Sequence, residues 1–153
     1  MSSQKQDLTN QADVLAHITR ELAQCCTAKE NEIFGQFGLS TSEGHVLIAI
    51  ADGTTSPSGL AEQLGVVRSR ITPLAQSLVH KGFLQRLESA NDRRVRDLKL
   101  TDEGHGAAKE AKSYRLNFHT RLLEKFASDE RARLLEMLEH LHDKMTEMRK
   151  GIK

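Results

Sequence analysis

Eight basic side chains fall within one contiguous stretch of the 153-residue chain, residues 66–99: Arg68, Arg70, Lys81, Arg86, Arg93, Arg94, Arg96 and Lys99. Glu88, Asp92 and Asp97 oppose them there, leaving a balance of +5. Residues 1–65 hold three basic and eight acidic side chains, and residues 100–153 hold eleven and ten. The net charge of +1 points to no partner, but the distribution does. Guanidinium and ammonium groups gathered on a near-neutral chain form an electrostatic footprint for a polyanion. A solvated surface with chance clustering is the bland counterpart. Ser69, Thr72 and Gln76 lie among these charges. Arginine can donate twice to guanine, whereas Ser and Thr hydroxyls are less selective. The chemistry on offer is contact with phosphates and base edges.

Thiols and imidazoles offer less. Cys25 and Cys26 are adjacent, which suits no structural disulfide framework. On a helix they point about 100° apart, so at most one faces a core. A small apolar residue plus a semi-exposed thiol is the plain expectation, and a redox or electrophile sensor is the alternative. Lys29 is their only close cation in sequence. No two of the seven histidines stand at the i, i+4 spacing that shares a helix face, and no metal site is expected. No glycine-rich phosphate loop and no nucleophile motif occur, so neither an enzyme nor a cofactor is expected. No apolar run reaches the roughly 18 residues a bilayer needs. The segment MSSQKQDLTNQ lacks a secretion signal's apolar core. No membrane partner and a cytoplasmic location follow as expectations.

The elements that must position these residues are mostly helical. Val14, Leu15, Ile18, Leu22, Cys25 or Cys26, and Ile33 predict a first helix over residues 12–33 with one apolar face, ended by Gly35 and Gly38. Ser40-Thr41-Ser42-Glu43 matches a capping box and opens a second helix, stopped by Asp52-Gly53. Ser56-Pro57 opens a third, with Leu60, Ala61 and Leu64 inward and Gly65 closing it. A fourth runs from Arg68 to His80. Its apolar set is Ile71, Leu74, Ala75, Leu78 and Val79; its other face shows Arg68, Ser69, Arg70, Thr72 and Gln76. Strands are predicted at Phe83–Leu87 and Val95–Leu100, joined by a loop at Glu88–Arg94 that is longer than a tight hairpin needs. Thr101 caps a fifth helix reaching Phe126, and Ser128-Asp129-Glu130 caps a sixth reaching Met148. Two short helices around a Gly-Val-Val corner are a helix-turn-helix, and the strand pair makes it winged.

LAEQLGV before the fourth helix, LVHKGFLQR after it, Asp92-Arg93-Arg94, and Leu100-Thr101 followed by Gly104 together carry a resemblance. The chain resembles the MarR family of winged helix-turn-helix transcriptional regulators over nearly its whole length. The resemblance implies a mainly α fold with a small β-hairpin wing. Residues 1–38 would form an N-terminal dimerisation helix, 39–100 the DNA-binding region, and 101–153 the C-terminal dimerisation helices. It implies that Arg94 enters the minor groove, where narrow A·T tracts concentrate negative potential. Asp92 would hold the wing or orient Arg94, unless it is a plain turn residue. Arg86, Arg93 and Arg96 would be phosphate or structural residues. Arg68, Ser69, Arg70 and Thr72 match groove-facing positions, with Gln76 on the same polar face.

Two departures stand out. Val67 replaces the usual Ser or Thr cap, and Pro73 sits inside the fourth helix, where it removes a backbone bond. Thr72-Pro73 also occurs in the family's peroxide-sensing branch, but that branch's cysteine would fall near Ala16, not at Cys25. Zinc-sensing members carry a histidine where His45 stands, but their later ligands would fall near Ala111 and Arg115. His45 therefore reads as a ligand-pocket or helix-packing residue. The implied partners are an inverted repeat of double-stranded DNA, a second copy of the chain, and a small-molecule effector that releases a repressor. The runner-up is a repressor on the same scaffold that senses oxidants or electrophiles through Cys25 and Cys26.

Overall fold

A computed structural model describes residues 2–88 and 96–151. Asp92, Arg93 and Arg94 lie outside the described residues. Helix α1 spans Ser2–Gly35, so it begins well before residue 12. Residues 2–11 have no apolar period, but local side-chain bonds support the helix instead. Gln11 Nε2 donates to Asp7 Oδ2 at 2.9 Å, an i, i+4 pair of the kind that stabilises a helix. Ile33 and Phe34 are the part of α1 that enters the core. Leu8, Val14, Leu15, Ile18 and Leu22 remain exposed.

Helix α2, Thr41–Ala51, opens with the expected capping box. Val46, Leu47, Ile48, Ala49 and Ile50 are all buried, so this helix is apolar nearly all round and sits centrally. It packs on α1 and on α3, Pro57–Leu64, and on α4, Arg68–His80. The α3 cap is Ser56, and Gly65 ends it with φ 64°, a left-handed conformation that glycine adopts without strain. Strands β1, Leu84–Glu88, and β2, Arg96–Leu100, pair antiparallel with Leu84 opposite Leu100 and Arg86 opposite Leu98. Strand β1 thus starts one residue later than the periodicity suggested. The Phe83 N–H instead donates to the Leu78 carbonyl at 2.9 Å, closing the end of α4.

Helix α5 is Asp102–Leu123 and α6 is Ser128–Gly151. The fifth helix stops short of Phe126 because the chain tightens into three-residue bonds, Lys125 N to Leu122 O and Phe126 N to Leu123 O, both 3.1 Å. Ser128 is not the cap of α6. The Ala127 carbonyl takes the first bond, from Arg131 N, and Glu130 Oε2 reaches back to Ala127 N at 2.8 Å. The chain forms two compact units, Met1–Ser113 and Tyr114–Lys153. In the second, Leu116, Leu122, Leu135, Met137, Leu138, Met145 and Met148 are exposed. Among the described residues, no helix is long and apolar enough to cross a membrane. The architecture is the expected one: mainly α, with a two-stranded wing behind a helix-turn-helix.

One buried charge ties this arrangement together. Glu43 is 5% exposed. Its carboxylate accepts from Ser40 N at 2.7 Å, Ser40 Oγ at 2.8 Å, Ser77 Oγ at 2.5 Å and Lys81 Nζ at 2.8 Å. Lys81 Nζ also donates to the Gly38 carbonyl at 2.9 Å. Burial alone would raise the Glu43 pKa, but the bonds from Lys81, Ser77 and Ser40 outweigh it and lower the pKa from 4.5 to about 2. A carboxyl depressed on folding contributes stability that is complete above its unfolded pKa and is lost as pH falls through the folded one. Glu43→Gln is therefore expected to lower the unfolding free energy by about 2–3 kcal/mol at pH 7. Between pH 4.5 and 2 the variant should lose less stability than wild type. Urea titrations across that range check both, and equal stabilities at pH 7 would show that the network contributes nothing.

Candidate nucleic-acid interface

The interface is built on α4. Ile71, Ala75 and Leu78 bury its inner face. At 100° per residue, the opposite face then carries Ser69, Pro73 and Gln76, with Thr72 on one flank and Arg70 on the other; Arg68 lies in line with Ala75 but is exposed at the open end of the helix. Arg68, Ser69, Thr72 and Gln76 are all exposed, so the structure brings these four sequence-selected residues together. Arg70 is also exposed but lies on the flank nearest α2, in one row with Leu74, Ser77 and Lys81.

The start of α4 differs from those of its neighbours. Val67 occupies the cap position and makes no side-chain cap bond. Its carbonyl accepts from Arg70 N at 3.0 Å, a three-residue turn, whereas α2 and α3 open with four-residue bonds. Pro73 has no N–H to offer the Ser69 carbonyl one turn earlier. Even so, α4 remains continuous through Pro73.

The hairpin stands beside this helix. Leu84, Leu98 and Leu100 are buried on its inner face. Gln85 and Lys99 pair on the outer face, both exposed. Arg86 pairs with Leu98 on the inner face but is itself exposed, so it projects from the edge of the core. The hairpin base is locked to α5. Thr101 Oγ1 donates to the Gly82 carbonyl at 2.6 Å and accepts from Gly104 N at 3.0 Å. Thr101 N donates to the Phe83 carbonyl at 3.1 Å. A Cβ at Gly104 would lie 2.1 Å from that same carbonyl oxygen, so only glycine fits.

Cys25 and Cys26 are both exposed, so neither is the small core residue anticipated. The core takes up only the C-terminal end of α1, through Ile33 and Phe34. His45 does pack between helices. Its Nε2 is 3.1 Å from Glu30 Oε1, and its ring meets Phe34 edge-on at 5.8 Å. It also borders a cavity of about 330 Å³ with Ser42, Leu64, Val66, Arg70, Pro73 and Leu74. Glu30 and the cavity walls were not anticipated. Glu30 is fifteen residues from His45, and no local period links the two.

Comparison with known proteins places this arrangement. A sequence profile of the MarR family matches residues 39–95. The transcriptional repressor MprA of Escherichia coli (strain K12) is 25% identical over 150 residues, which cover 96% of this chain and 85% of MprA. The crystal structure of YusO from Bacillus subtilis matches with a TM-score of 0.67 and 26% identity, covering 86% of this chain and 94% of that one. Streptococcus pneumoniae FabT, solved in complex with DNA, shares the fold with a TM-score of 0.77 at 22% identity, covering 88% and 96%.

The tight approach at Gly104 gives a test of how the wing is held. Gly104→Ala must displace the Phe83 carbonyl and is expected to cost about 1–3 kcal/mol of stability, as overpacking does. Chemical denaturation measures this, and a variant as stable as wild type would mean the contact yields freely.

Proposed function

The chain belongs to the MarR family of transcriptional regulators, and on that footing we propose that it is a homodimeric, sequence-specific DNA-binding repressor released by a small molecule. The observation that carries the reading is the exposed polar face of α4. Arg68, Ser69, Thr72 and Gln76 stand out together on a helix whose other face is core, in the most basic stretch of the chain. A helix in this setting lies in the major groove with its first turns nearest the base edges. Arg94, with Asp92 and Arg93 beside it, would enter the adjacent minor groove from the wing, and Arg86 would meet phosphate. That FabT is seen with DNA supports this use of the fold.

The rest of the chain supplies the pairing. Residues 1–38 and 101–153 would form the dimer. Val14, Leu15, Ile18 and Leu22 on α1 and Leu135, Leu138 and Met145 on α6 are apolar surface that a second copy would cover. A two-fold dimer reads an inverted repeat. Such a regulator acts in the cytoplasm as a binding protein rather than an enzyme. The cavity between α2 and α4 has apolar walls and one guanidinium, Arg70, with the His45 ring at its border. It suits a compact apolar molecule that carries an anionic group.

Gel retardation on a duplex selected from a random library tests the DNA reading, with sedimentation to establish the dimer. Affinity should fall steeply with salt, as phosphate contacts require. Arg94→Ala should weaken the best site by about tenfold or more, and unchanged affinity would sink the wing's role. For the cavity, benzoate is expected to raise the Tm of wild type but not of a His45→Ala, Arg70→Ala variant. Equal shifts in both proteins would place the ligand elsewhere.

A further inference from the structure

We infer that Val67 is a specificity-determining residue that reads the 5-methyl group of a thymine in the major groove. The assignment rests on the DNA-binding reading of α4 and adds a contact the basic and polar residues do not supply.

Two observations coincide at this residue. First, Val67 is 65% exposed, and among the described residues it is the only large hydrophobic so exposed between residues 23 and 115. The other exposed apolar side chains lie on α1, the end of α5 and α6, the segments assigned to the dimer. Second, Val67 holds a cap position and makes no cap bond. The neighbouring helices use theirs: Ser40 accepts from Glu43 N, Ser56 from Gly59 N, and Thr101 from Gly104 N. A Ser or Thr at residue 67 would bond the open end of α4, and valine cannot. The chain thus leaves a cap unmade and an isopropyl group in water at the same point.

The geometry names the occupant. Val67 has φ −72° and ψ 143°, and its carbonyl is held by Arg70 N at 3.0 Å, so its side chain sits at the tip of the helix rather than on its core face. Arg68 and Ser69 follow it in the first turn, Thr72 stands one turn on, and all three are exposed. They favour a polyanion over an apolar protein surface. Within the major groove, the thymine methyl is the one apolar feature on a base edge. An isopropyl group amid arginines and hydroxyls therefore complements a thymine, in the way the arginines complement guanine.

The test replaces single thymines by deoxyuridine, which removes only the methyl. The probe is the duplex that full-length wild type selects from a random-sequence library. Wild type is expected to lose about fourfold per half-site at one symmetry-related thymine. Val67→Ser should show no loss at that position and keep the wild-type response at the others. Its Tm, raised by the restored cap, confirms that the variant folds. Three outcomes overturn the assignment. Wild type could be indifferent to every uridine. Val67→Ser could show the same loss at the same thymine. Or Val67→Ser could bind more weakly with no dependence on any methyl, as a contact to the sugar-phosphate backbone would give. Failure to enrich any duplex overturns the DNA-binding reading itself, and the assignment with it.

Discussion

The buried carboxylate of Glu43 is the constraint around which the DNA-binding unit is organised. A charge taken out of water must be met by bonds from every side. Meeting it brings three separate segments to one point: the Ser40 turn, the C-terminal end of α4 through Ser77 and Lys81, and the Gly38 carbonyl through the same lysine. The helix proposed to read DNA is thereby clamped at its C-terminal end. Core contacts of Ile71, Ala75 and Leu78 hold its middle. Its first turn, with Val67, Arg68 and Ser69, is left outside. A reading helix needs this polarity, fixed where it meets the core and open where it meets the groove.

Further ties radiate from α2. Gly44 has no room for a Cβ because the Phe34 ring lies 2.2 Å from where that atom would stand, so α1 closes directly onto α2. Lys112 of α5 pairs with Asp52 at the other end of α2. Thr101 and Gly104 hold the hairpin base to the start of α5. The helix-turn-helix, the wing base and the start of α5 are joined by specific bonds as well as by burial.

Local signals carried much of this in the sequence. The Ser40 box, the Ser56-Pro57 start, the Gly65 stop and the Thr101 cap all stand where short-range chemistry placed them. Contacts between distant segments were not legible. Glu43 looked like a capping residue and no more, because Ser77 and Lys81 lie 34 and 38 residues away. Gly44 and Gly104 carried no hint of which atom presses on them. The early start of α1 was hidden because its first turns rest on side-chain pairs rather than an apolar stripe. At the wing tip, the roles of Asp92, Arg93 and Arg94 rest on family resemblance and the basic charge of the stretch.

Arg70 borders two surroundings at once. Read along the sequence, it belongs with Arg68, Ser69 and Thr72. On the helix it shares a row with Leu74, Ser77 and Lys81, and that row faces α2. The lower end of the row is satisfied by Glu43, while the upper end opens into the cavity with His45. In the proposed repressor, one guanidinium therefore borders both the groove and the effector. An anion held beside Arg70 would compete with any contact that this guanidinium makes to DNA, and a dimer would present that competition twice. Moving a population from almost fully bound to almost fully released takes about 5.5 kcal/mol of differential binding, so each half-site would have to contribute about half of that. Such competition needs no rearrangement of the rest of the unit. This suits a fold whose reading helix is clamped as firmly as Glu43 clamps α4.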